Sequence, residues 1–66
     1  MFELNKIYRF YFEVDDMLNY EEAELLELDD HYFKVCLIKR DVHGTLVKTC
    51  VKYYNKRIID IVMPND

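Results

Sequence analysis

Apolar and polar residues alternate with a period of two along most of the chain. In Lys6–Val14, the side chains of Tyr8, Phe10, Phe12 and Val14 fall on one side, and those of Arg9, Tyr11 and Glu13 on the other. Successive side chains of an extended backbone point to opposite faces, so this pattern predicts a strand with one buried face. Asp15-Asp16-Met17-Leu18-Asn19 breaks the alternation and is expected to turn the chain. The stretch Tyr32 to Tyr54 predicts a β-hairpin. Its first strand places Phe33, Val35 and Leu37 inward and Tyr32, Lys34, Cys36 and Ile38 outward, and Leu46–Tyr54 is the second strand. Between them, Arg40-Asp41-Val42-His43-Gly44 holds the only glycine of the chain. Glycine adopts φ > 0 at no steric cost, which marks a short turn. With a loop from Asp41 to Thr45, Arg40 pairs with Leu46 and Cys36 is expected opposite Cys50. Asn55-Lys56 then makes a tight corner, and Ile58–Met63 is a last short strand that Pro64 ends, since proline has no N–H for a ladder.

Tyr20–Asp29 fits two elements. Glu21-Glu22-Ala23-Glu24-Leu25-Leu26-Glu27-Leu28 has high helix propensity, and Asp15 or Asp16 is placed to cap such a helix. Its apolar positions, however, hold a helical stripe poorly, because Glu21 and Glu22 interrupt the face shared by Leu18, Leu25 and Leu28. As a strand, Ala23 and Leu25 point one way, and Leu26 and Leu28 the other. A β-bulge in a strongly bent strand produces that change of phase. The strand is the preferred assignment, with a helix over residues 16–28 as the alternative. Five short strands in 66 residues then predict one all-β domain over residues 1–66, a small, strongly bent, five-stranded SH3-like barrel.

Composition adds one point to this fold. Hydrophobic residues make up 52% of the chain, with six Tyr and four Phe, which is more apolar material than so small a barrel encloses. A homo-oligomer that covers the excess is therefore expected. No apolar run is long enough to span a membrane, and the N-terminal residues lack the pattern of a secretory signal, so no membrane partner is expected. The expected compartment is the cytoplasm, or the host cytoplasm if the protein is viral. Cys36 and Cys50 form neither a disulfide framework nor a metal-ligand pair and are expected as reduced, small apolar side chains.

The net charge of −4 is unevenly spread. Residues 1–30 carry ten acids against Lys6 and Arg9, a balance of −8; residues 31–66 carry seven cations against three acids, a balance of +4. Such asymmetry fits subunits or partners that meet acid to base, and it equally fits cross-strand neutralisation within one sheet. Catalytic groupings are lacking. The chain has no serine, its single glycine cannot build a phosphate loop, and neither cysteine lies in an activating pattern with His31 or His43. Neither an enzyme, nor a cofactor, nor a metal site is expected.

From Glu24 onward, the order of features resembles the Sm-like fold, in particular its Hfq-type bacterial branch. Leu25-Leu26-Glu27-Leu28-Asp29-Asp30-His31-Tyr32-Phe33-Lys34-Val35-Cys36-Leu37 is similar to the first Sm motif, a bent strand followed by Asp, an aromatic and an alternating strand. Tyr54-Asn55-Lys56-Arg57-Ile58-Ile59-Asp60-Ile61-Val62-Met63-Pro64 is similar to the second, with Tyr54, Ile58 and Pro64 matching. The first motif's glycines are replaced, the second motif's Lys and His positions hold Asn55 and Lys56, and no N-terminal helix precedes the first strand. The resemblance implies subunits joined edge to edge by the fourth and fifth strands. It also implies U-rich single-stranded RNA stacked on Tyr32 and lined by Asn55, Lys56 and Arg57.

Two functions compete. The first is a non-enzymatic interaction module, a regulator or phage-type inhibitor whose acidic residues Glu21, Glu22, Glu24, Glu27, Asp29 and Asp30, together with its β-edges, engage a protein with a basic surface. The alternative is an Sm-like single-stranded RNA-binding protein using Tyr32, Lys34, Lys48, Lys52, Tyr54, Asn55, Lys56 and Arg57. In that reading Lys48, Lys52 and Tyr54 share one face of their strand. The acidic balance favours the interaction module.

Overall fold

The computed structural model describes residues 2–65. Five antiparallel strands form one sheet: β1 (Ile7–Val14), β2 (Met17–Leu28), β3 (Tyr32–Arg40), β4 (Leu46–Asn55) and β5 (Ile61–Pro64), in the order β4-β3-β2-β1-β5. The first four strands form a meander. The chain then crosses through residues 56–60 to lay β5 against the far side of β1, with Tyr8 opposite Pro64 and Tyr11 opposite Ile61.

Tyr8, Phe10, Ala23, Leu25, Phe33 and Val35 occupy the phase their alternation predicts, and they form the core with Tyr54. Leu37, Ile59 and Val62 pack against its margin. The sheet is strongly curled. Adjacent strands lie about 4.8 Å apart, so β1 and β4 would sit roughly 14 Å apart in a flat sheet. The rings of Phe10 and Tyr54 are nevertheless centred 5.1 Å from each other across the concave side. The curl stops short of closure: β4 and β5 do not pair, and each is a free edge. An open, curled sheet therefore stands where a barrel was expected.

Residues 17–28 are strand, without a helical turn. A register shift between Leu25 and Glu27 produces the change of phase seen in the sequence, and it keeps both Ala23 and Leu25 buried. The turn before β2 is shorter than expected. Asp15 and Asp16 alone make it, with φ of 51° and 64°, and Val14 pairs directly with Met17. Two central residues at positive φ define the twist-compatible hairpin turn usually filled by Asn-Gly, so a polar pair was enough to reverse the chain and Met17–Asn19 extends β2. β5 also begins later than expected. Ile58 N–H donates to the Asn55 carbonyl (3.1 Å), which holds Lys56–Ile58 in a turn.

The hairpin register needs one correction. Arg40 pairs with Leu46, but Cys36 lies opposite Val51 rather than Cys50. Between those pairs β4 contributes Thr49 and Cys50 against Leu37 alone, which is a bulge, and Thr49 Oγ1 donates to the Leu37 carbonyl there at 3.1 Å. The extra residue leaves Lys48 opposite Ile38 on the convex face and carries Lys52 and Tyr54 to the concave side, opposite Val35 and Phe33. β2 and β3 also part company early. Their ladder ends at Ala23 opposite Leu37, and the distal half of the β1–β2 hairpin continues beyond it as a two-stranded arm.

Candidate interaction surfaces

The acidic residues of β2 do not form a free anionic face. Glu24 pairs with Lys48 (3.0 Å), Glu27 with Lys34 (3.3 Å) and Glu22 with Arg40 (3.4 Å), all on the convex side. These contacts hold the Lys34 and Lys48 ammonium groups above their ordinary pKa, chiefly through the hydrogen bonds to Glu27 and Glu24. Glu22 also accepts from Asn65 Nδ2 at 2.6 Å, tying the end of β5 to the sheet. On the concave side Glu21 accepts from Lys52 Nζ (3.2 Å) and from the Tyr54 hydroxyl (2.5 Å). Burial, then the bond to Glu21, pushes the Tyr54 phenol far above its ordinary pKa. Cross-strand neutralisation thus consumes four of the six acidic residues singled out in the sequence. Asp29 and Asp30 remain exposed in the β2–β3 turn, where Asp29 Oδ1 accepts from the His31 N–H (3.0 Å).

The basic and aromatic residues divide as well. Tyr32, Lys34, Asn55, Lys56 and Arg57 gather where β3 begins and β4 ends, with Tyr32 opposite Asn55. Tyr32 meets Tyr53 edge to face at 5.3 Å, and Lys34 Nζ lies 5.9 Å from the Tyr53 ring centre. Asn55 Oδ1 accepts from the Arg57 N–H (2.9 Å) and fixes the corner. Lys48, Lys52 and Tyr54 stand apart from this group. Lys48 is on the convex face, Lys52 is engaged by Glu21, and Tyr54 is only 2% exposed and faces the core. Tyr53 went unremarked in the sequence, because the bulge that turns it to the face of Tyr32 leaves no mark in the residue pattern.

Two further surfaces emerge only in three dimensions. β4 is exposed along its whole length except at Tyr54, and its edge displays Leu46, Val47, Val51 and Tyr53. Beside the crossing segment 56–60 lies an open cavity of about 350 Å³ lined by Phe2, Phe33, Lys56, Ile59, Asp60, Ile61 and Val62. Phe2 reaches it by packing edge to face on both Tyr8 and Phe33, each at 5.7 Å. Lys56 Nζ sits 5.3 Å from the Phe33 ring centre. Among the described residues, His, Cys, Asp and Glu side chains nowhere converge in threes, and no helix is long and apolar enough to cross a membrane. No protein-family model, no curated protein and no solved structure matches the chain.

Proposed function

We propose that the protein is a non-enzymatic interaction module, a small regulator that associates with itself and with a protein partner through the edges of its sheet. The carrying observation is β4, a ten-residue edge strand with a single buried side chain. A long edge presents unpaired N–H and C=O groups as a template for a further strand. Lys48 and Lys52, the side chains that would ordinarily guard such an edge, are held back by Glu24 and Glu21. The position of β4 and β5 on opposite edges supports the Sm-like reading, in which those strands join neighbouring subunits. The acidic contact proposed for a basic partner rests on Asp29 and Asp30, the two members of the set without a cation across the sheet. The test is light scattering coupled to size exclusion, with Val51→Lys and Tyr53→Lys as edge variants. Loss of self-association in both supports the edge; unchanged association rejects it.

A second reading is favoured by the Tyr32–Tyr53 pair with Lys34, Asn55 and Arg57 beside it, a platform suited to single-stranded RNA. Base stacking on an aromatic contributes about 1–3 kcal/mol per base. Tyr53→Ala is therefore expected to weaken binding of an oligo-U strand by about 5- to 150-fold in fluorescence anisotropy. Wild-type protein that ignores oligo-U at low salt eliminates this reading.

A further inference from the structure

The distal end of the β1–β2 hairpin is an unusual surface. Beyond Tyr11, the last residue of β1 covered by β5, the arm has no further strand beside it, and Phe12, with its ring centre 6.5 Å from that of Tyr54, ties its base to the core. Isolated two-stranded ribbons are marginal in water. Yet this one exposes Val14, Met17, Leu18 and Tyr20, with Met17 at 69% exposure. Its turn holds Asp15 and Asp16 at positive φ, where Asn-Gly would be less strained. With Glu13, the tip carries three acids, and the chain has no cation between Arg9 and Lys34.

Elsewhere on the fold lies a surface of opposite character. The open cavity beside residues 56–60 has apolar walls from Phe2, Phe33, Ile59 and Val62. Its rim carries Lys56 and, next in the chain, Arg57; neither makes an ion pair among the described residues. Asp60 also lines the cavity, leaving the rim net positive. At about 350 Å³ it is near the lower limit of ligand pockets, roughly 300–1,000 Å³, and suits one or two side chains better than a large molecule.

We propose that the arm tip of one copy plugs the cavity of the next. Met17, an unbranched side chain that adapts to irregular apolar walls, enters between Phe2 and Val62. Asp15 and Asp16 face Lys56 and Arg57 at the rim. Charge complementarity selects a second copy of this chain as the occupant: three acids without a cation in an ion pair meet a rim whose two cations outnumber its one acid, Asp60. The contact is heterologous, so repetition closes a ring or extends a filament. It is separate from the β4 edge and survives if that edge is inactive.

Heterologous contacts have a signature that self-complementary ones lack. Met17→Ser with Leu18→Ser removes the plug, and Lys56→Glu with Arg57→Glu reverses the rim; all four residues lie outside the core cluster, and circular dichroism checks that the sheet is retained. Each variant alone is expected to weaken self-association by about tenfold or more in light scattering, approaching the single-chain mass of 8.1 kDa. The two mixed in equal amounts are expected to form a two-chain species and nothing larger, the intact plug of one seated in the intact cavity of the other. A wild-type protein that stays monomeric, variants that keep the wild-type mass, or a mixture that stays monomeric overturns the proposal. Because Val51→Lys leaves plug and cavity untouched, loss of assembly in that variant alone assigns the contact to the β4 edge instead.

Discussion

Two local arrangements give the residue scale its tests. Tyr54 carries its hydroxyl into the concave side and donates it to Glu21, so the neutral phenol is favoured in the folded state. A raised folded pKa means that, above the ordinary value of 10.0, the unfolded chain releases this proton first. Stability is fully present below that pH and declines as pH rises beyond it. Melting temperature is therefore expected to fall through pH 10–11, and Tyr54→Phe is expected to flatten that part of the curve. A wild-type curve already flat there contradicts the assignment. At the Asp15-Asp16 turn, Asp16→Gly removes a side chain from a left-handed backbone. It is expected to stabilise the isolated chain by about 1 kcal/mol in urea unfolding, and a destabilisation shows the turn geometry to be otherwise.

At the scale of elements, legibility followed burial. β1, β2 and β3 each pack one face on the core, so most of their alternation, and even the phase change near Leu26, was written in the order of apolar residues; Ile38, expected outward, is instead buried, outside the core cluster. Val35 is the clearest case. It is fully buried at the middle of β3, and Val35→Asp is expected to cost about 4 kcal/mol or more, leaving no cooperative thermal transition. β4 was legible as a strand but not in register, because an exposed edge imposes no alternation and Thr49-Cys50 could bulge unseen. That bulge changes the expected thiol chemistry. Cys50 is exposed and no longer opposite Cys36, so mild oxidation is expected to link chains through Cys50. A dominant Cys36–Cys50 crosslink within one chain, seen by mass spectrometry, would restore the unbulged register. Side-chain patterns were silent too about the candidate surfaces. They recorded which charges exist, but not that β2 spends its glutamates on the lysines and arginine of β3 and β4.

On the scale of the whole molecule, openness is what the sequence left unstated. Alternation tells which face of each strand is wet, whereas closure depends on backbone groups of β4 and β5 that carry no side-chain signature. An open sheet of this size leaves its two rims unequally protected. Amide hydrogen exchange is expected to be slowest at Tyr8–Phe10, Ala23–Leu25 and Phe33–Val35, where ladders run on both sides of β1 and β2 and the core is densest. It is expected to be fast in β4 and in the arm from Phe12 to Asn19. Uniform protection across all five strands would mean the rims are covered in solution.

The crossing to β5 has a kinetic consequence. Four strands meet their neighbours through short turns, and each such pairing closes a small loop. Only the match of Tyr8 with Pro64 must bring together nearly the two ends of the chain. Loop-closure entropy makes that the slowest pairing to nucleate, so the meander assembles first and the last strand docks onto a finished edge. Truncating Val62 to Ala should accordingly quicken unfolding while leaving the folding rate almost untouched. A nascent copy passes through a stage in which the outer side of β1 is bare.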